Sequence, residues 1–185
     1  MFFSVNDTWT LFLDRDGVLN RKLENDYVKT PDELEVLPDV PEALSVLGKL
    51  FGKVIIVTNQ QGIGKKLMSK DDLNRIHKSL FEELGEASDA IDEVYFCPHL
   101  AAENAACRKP QIGMAKQAQA DFPEIDFSRS LMVGDSVSDM EFGRNAGMKT
   151  VFISDDNDLI RTHFDKIDFS VRDLFSVACL LRRGE

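Results

Sequence analysis

The chain has 185 residues, 43% of them hydrophobic and 29% charged, with a formal net charge of −10. That length suffices to bury one core, and the acidic balance disfavours nucleic acid or an anionic membrane as partner. Three cysteines, Cys97, Cys107 and Cys179, are too few and oddly numbered for a disulfide framework, no apolar run reaches membrane-spanning length, and the start lacks the basic and apolar regions of a signal peptide, so a soluble, cytoplasmic single domain over residues 1–185 is expected.

The first predicted element is a buried strand, residues 11–13, which ends abruptly in Asp14-Arg15-Asp16-Gly17. Two carboxylates this close resist joint ionisation when buried, so a cation is expected between them, and a hard divalent metal such as Mg²⁺ takes oxygen ligands. Gly17 permits a sharp turn after the second acid. A calcium loop is excluded, because its fifth and twelfth positions fall on Val18 and Asn25.

A polar, irregular stretch follows, with Tyr27 and Val28 as inward anchors, and Pro41 opens a helix to about Lys49. Residues 54–57 read as a second buried strand closing in Thr58-Asn59-Gln60-Gln61-Gly62, and segment 62–68 as a loop to which Gly62 and Gly64 give mobility or close approach to ligand. Ser69 caps a helix whose apolar stripe is Leu73, Ile76, Leu80 and Leu84. Strands over 94–96, 131–133 and 150–153, a helix over 112–120, a helix ending near Ala146, a weak strand at 169–171 and a last helix over 172–182 complete the pattern. Alternating strands and helices predict an α/β fold: a three-layer, Rossmann-like arrangement, a mostly parallel sheet with helices on both faces. No insert is long enough for a large cap domain.

In such sheets ligands bind at the carboxyl ends of the strands. Asp14/Asp16, Thr58/Asn59 and Asp135/Asp139 all occupy such ends, and Arg108-Lys109-Pro110 precedes a helix. Their convergence marks a candidate site.

These motifs resemble, in order and spacing over residues 10–153, those of the haloacid dehalogenase superfamily of phosphatases. Thr58-Asn59-Gln60-Gln61-Gly62-Ile63 and Cys97-Pro98-His99 with Cys107-Arg108-Lys109-Pro110 are similar to the branch holding heptose-bisphosphate and histidinol-phosphate phosphatases. The resemblance implies a Mg²⁺-dependent phosphomonoester hydrolase. In it Asp14 would be the nucleophile and Asp16 the general acid–base. The metal would be held by Asp14, the Asp16 main-chain carbonyl and Asp135. Thr58, the Asn59 amide region and Lys109 would hold the phosphoryl group, and Arg108 a second anionic group. No role is assigned to Asp139.

The implied partner is a small phosphorylated metabolite, a sugar phosphate, with D-glycero-D-manno-heptose 1,7-bisphosphate (cleaved at its 7-phosphate) ahead of histidinol phosphate. A DNA 3′-phosphate end is disfavoured by the net charge. A phospho-accepting receiver domain is the non-enzyme alternative, but it needs an acceptor aspartate where Thr58-Asn59 stands. The branch often carries a structural zinc. Here Cys97, His99 and Cys107 occupy three ligand places and Ala105 the fourth, so zinc is doubtful and the cysteines are expected as packed thiols. His77 and His163 read as ordinary helix residues, and Cys179 as part of an apolar helix face.

Overall fold

The computed structural model describes residues 4–182. Six strands form one sheet: β1 (Thr10–Leu13), β2 (Lys53–Asn59), β3 (Glu93–Cys97), β4 (Ser130–Gly134), β5 (Lys149–Ile153) and β6 (Phe169–Val171). Their order is β3-β2-β1-β4-β5-β6, and every pairing is parallel. Strand order runs outward in both directions from β1, so the crevice at the carboxyl end of β1 is the place where an open α/β sheet binds ligands.

The central strands carry continuous apolar runs because both faces of the sheet are covered. Alternation along each strand divides the core. Leu11, Leu13, Val54, Ile56, Leu131 and Val133 pack with α1 (Val40–Leu50), α3 (Lys70–Leu84) and α7 (Leu174–Arg182) on one side. Phe12, Ile55, Val57 and Met132 pack with α4 (Gly113–Asp121) and α5 (Val137–Ala146) on the other. Pro41 sits in the first turn of α1, where its missing N–H costs no bond. A Ser69–Asp72 capping box opens α3, worth about 1 kcal/mol.

Three expectations are corrected. Residues 61–64 form a short helix, α2 (Gln61–Gly64), where the segment from Gly62 was expected to be loop. A Cβ on Gly64 would lie 2.7 Å from the Pro98 carbonyl oxygen, so that glycine serves a backbone contact. The last helix begins at Leu174, because the Asp173 carboxylate accepts from the Ser176 N–H and fixes the start there. Its buried face is Leu174, Val177, Ala178 and Leu181, which leaves Cys179 exposed. No helix among the described residues is long and apolar enough to cross a membrane. Short segments follow β1 and β2 where a large cap would otherwise be inserted.

Candidate active site

Asp14 directly continues β1, its N–H donating to the Val133 carbonyl at 3.0 Å. The chain turns immediately afterwards: Gly17 has φ +89°, and a Cβ there would lie 2.2 Å from Asp135 Oδ2. Only glycine lets β1's exit and the Asp135 carboxylate come so close.

Asp14, Asp135 and Asp139 offer carboxylate oxygens within 4.8 Å of one another. Burial, with Asp139 next in weight, raises the Asp14 carboxyl to about 7 against the pull of Lys109. Burial likewise raises Asp135. Asp135 Oδ1 is buried and lacks a hydrogen-bond partner among the described residues, and Oδ2 accepts from Lys22 Nζ at 2.6 Å. Crowded oxygens that resist ionisation, one of them unsatisfied, suit a hard divalent cation.

Lys109 is buried between Asp14 Oδ1 (2.9 Å) and Asp139 Oδ1 (2.6 Å), and its Nζ also donates to the Val57 carbonyl at 2.7 Å. Burial opposes its charge, yet the two carboxylates raise its pKa. The Asn59 carboxamide holds the Lys109 backbone from both sides, accepting from its N–H at 3.0 Å and donating to its carbonyl at 3.2 Å. Asp139, fully buried, forms a capping box with Ser136 at the start of α5, which aims its other oxygen at Lys109. The Ser-x-x-Asp spacing was the signal for that role.

Asp16 lies in a cage of donors. Arg15 Nη2 contacts both its oxygens, at 2.8 and 2.9 Å, Asn20 Nδ2 donates at 3.0 Å and Gln60 Nε2 at 2.9 Å. Burial pushes its carboxyl up, but Arg15 and the amide donors outweigh burial and hold it below the usual range. Gln60 also donates to Thr58 Oγ1 at 2.9 Å, leaving the Thr58 hydroxyl proton for another acceptor.

A cavity of about 210 Å³ joins these groups, lined by Asp14, Asp16, Thr58, Asn59, Lys109 and Asp139 at its floor and by Lys22, Tyr27 and Arg108 at its rim. Asp135 adjoins it through Lys22. The Tyr27 hydroxyl accepts from Gln61 Nε2 (2.6 Å) and Lys65 Nζ (2.9 Å), tying the loop after β1 to α2. Lys22, Gln60 and Ser136 were not singled out from sequence.

The cysteine loop is a further correction. Cys97 and Cys107 are joined in a disulfide instead of standing as packed thiols or zinc ligands. The fold brings their Cα atoms to 5.4 Å, within bridging range. His99 Nδ1 lies 2.8 Å from Glu103 Oε2, and Ala105 offers no donor atom, so these residues do not fit a four-ligand zinc site. His77 is likewise no ordinary helix position: it is buried, with Nε2 3.3 Å from Arg15 Nη1.

Residues 106–173 match the HAD-hydrolase-like family model. The chain is 40% identical over 137 residues to the D-glycero-alpha-D-manno-heptose-1,7-bisphosphate 7-phosphatase of Mycobacterium tuberculosis, covering 74% of this chain and 72% of that one. It is 35% identical over 163 residues to the D-glycero-beta-D-manno-heptose-1,7-bisphosphate 7-phosphatase of Helicobacter pylori, covering 86% and 91%. The crystal structure of D,D-heptose 1,7-bisphosphate phosphatase from B. bronchiseptica, complexed with magnesium and phosphate, superposes with a TM-score of 0.82 at 28% identity, over 96% of this chain and 99% of that one.

Proposed function

This chain belongs to the haloacid dehalogenase-like hydrolases, in the branch of the heptose-bisphosphate phosphatases, and on that premise we propose that it hydrolyses the 7-phosphate ester of D-glycero-D-manno-heptose 1,7-bisphosphate. The observation that carries this reading is Asp14, a carboxylate at the end of β1 held against Lys109 on the floor of a cavity whose rim bears Lys22 and Arg108. The rim cations suit a substrate with a second anionic group, with Arg108 able to grip it bidentately.

In the first half-reaction an Asp14 oxygen attacks phosphorus, the bond from phosphorus to the sugar oxygen breaks, and Asp16, in the fraction of molecules that carry its proton against the pull of Arg15, gives that oxygen the proton. In the second, water attacks the aspartyl-phosphate, Asp16 takes the water proton, and phosphate leaves with Asp14 restored. Lys109 favours the ionised, nucleophilic form of Asp14 and offers a compact charge to the phosphoryl group. The Thr58 hydroxyl donates to a phosphoryl oxygen, and Asn59 keeps Lys109 in place. Asp14, Asp135 and the Asp16 carbonyl would hold Mg²⁺, which when bound would supply positive charge against the negative charge of the phosphoryl group.

The whole chain is taken as one such domain, acting in the cytoplasm on a small metabolite without nucleic-acid or membrane partners, in keeping with its net charge of −10. The Cys97–Cys107 loop is read as closed without zinc. Phosphate release with Mg²⁺ from heptose 1,7-bisphosphate, histidinol phosphate and a DNA 3′-phosphate tests the reading. The highest kcat/KM is expected on the heptose, and a preference for either other substrate would overturn it.

A further inference from the structure

Arg15 is the largest fully buried side chain among the described residues, and its Nε has no hydrogen-bond partner among them. Burying a guanidinium is costly, and a buried ion pair is weak evidence for stability. Its two terminal nitrogens divide their contacts: Nη2 faces both oxygens of Asp16, and Nη1 faces His77 Nε2 on α3 at 3.3 Å. An arginine can only donate, so Nε2 must accept and the His77 proton must sit on Nδ1. Burial, then the Arg15 charge, pulls the His77 pKa down to about 4, which keeps the ring neutral and able to accept.

We propose that His77 is a positioning residue for the reaction: by accepting from Arg15 Nη1 it sets the plane of the guanidinium, whose other terminal nitrogen, Nη2, fixes where the Asp16 carboxyl points. This rests on the reading of Asp16 as general acid–base. Asn20 and Gln60 each contact one Asp16 oxygen, so neither alone defines the carboxyl plane, whereas Arg15 contacts both. Asp16 reaches the cavity with a quarter of its side chain exposed, while Arg15 and His77 stay behind it, so the relay acts from outside the substrate space.

The signature of a misplaced proton donor is selectivity for the leaving group. An aryl oxygen departs with little protonation, and a sugar alkoxide does not. His77→Leu is expected to lower kcat on heptose 1,7-bisphosphate by roughly 10–100-fold and on p-nitrophenyl phosphate by less than about 3-fold, with KM little changed. His77→Gln, which keeps an acceptor oxygen, should restore most of the loss. Arg15→Lys, which keeps the charge but cannot face both partners, should reproduce the His77→Leu pattern and serves if that variant folds poorly. In an Asp16→Asn background His77→Leu should add nothing further.

Equal losses on both substrates in folded His77→Leu and Arg15→Lys, or no loss on the sugar phosphate, would overturn the relay while leaving Asp16 its role. If Asp16→Asn itself damaged both substrates equally, the acid–base reading would fall and the relay with it.

Discussion

Asp14→Asn separates activity from stability, because the side chain that does the chemistry is held against its own ionisation. In the folded chain the carboxyl titrates near 7, against 3.8 for the unperturbed group, with burial as the first cause and Asp139 the second. A carboxyl raised in the folded state keeps its proton where the unfolded chain has released it. Without metal, the Asp14 contribution to stability therefore falls from about pH 4 to about pH 7 and is flat above, at about 1.4 kcal/mol per pH unit. Asparagine keeps the shape and the bond that Arg15 N–H makes to Oδ1, now at 2.7 Å, but carries no charge to suppress. The variant should thus exceed the parent by up to ~4 kcal/mol at pH 8 in chelator, with most of that margin arising between pH 5 and pH 8. Turnover should fall by more than ~10³-fold. Urea unfolding of both proteins at the two pH values reads the margin. A variant no more stable than the parent at pH 8, or with equal margins at both pH values, would show that burial does not hold Asp14 against ionisation.

Lys109→Met should remove activity and also destabilise the fold by ~3–5 kcal/mol, since Asp139 is left buried and unpaired; thermal unfolding showing no loss would contradict that. Chelation should abolish turnover, Mg²⁺ alone should restore it, and the thermal shift on adding Mg²⁺ should be larger at pH 8 than at pH 5, where protons compete for Asp14. Elemental analysis should find far less than one zinc per chain, because the disulfide and Ala105 leave too few ligands; about one zinc, retained through mild chelation, would reverse that assignment.

The strands were readable because each central one is a closed apolar run ending in polar residues, such as Val54 to Val57 before Thr58. The short helix α2 was not, since four residues with two glycines carry no helical period and are held by Gly64 against Pro98. At the site, Asp14, Asp16, Lys109 and Asp135 stand out because acids and bases at strand ends are costly unless they meet. Lys22 and Gln60 stayed hidden: a lysine in a polar loop and an amide beside Asn59 look like solvated surface until folding brings them to Asp135 and Asp16. His77 left a faint trace, since it falls four residues after Leu73 and three before Leu80, on the buried stripe of α3. The Cys97–Cys107 bridge could not be read from three cysteines, because it depends on how closely the loop folds back.

In the mechanism proposed above the phosphoryl group passes through Asp14. Rapid acid quench during turnover of heptose 1,7-bisphosphate, borohydride reduction and peptide mass spectrometry test it directly, since an aspartyl-phosphate is reduced to homoserine where a free carboxylate is not. Homoserine is expected at position 14 alone, dependent on substrate and Mg²⁺ and absent from Asp14→Asn. Phosphate release without any mark at position 14, or with the mark at Asp135 or Asp139, would contradict it.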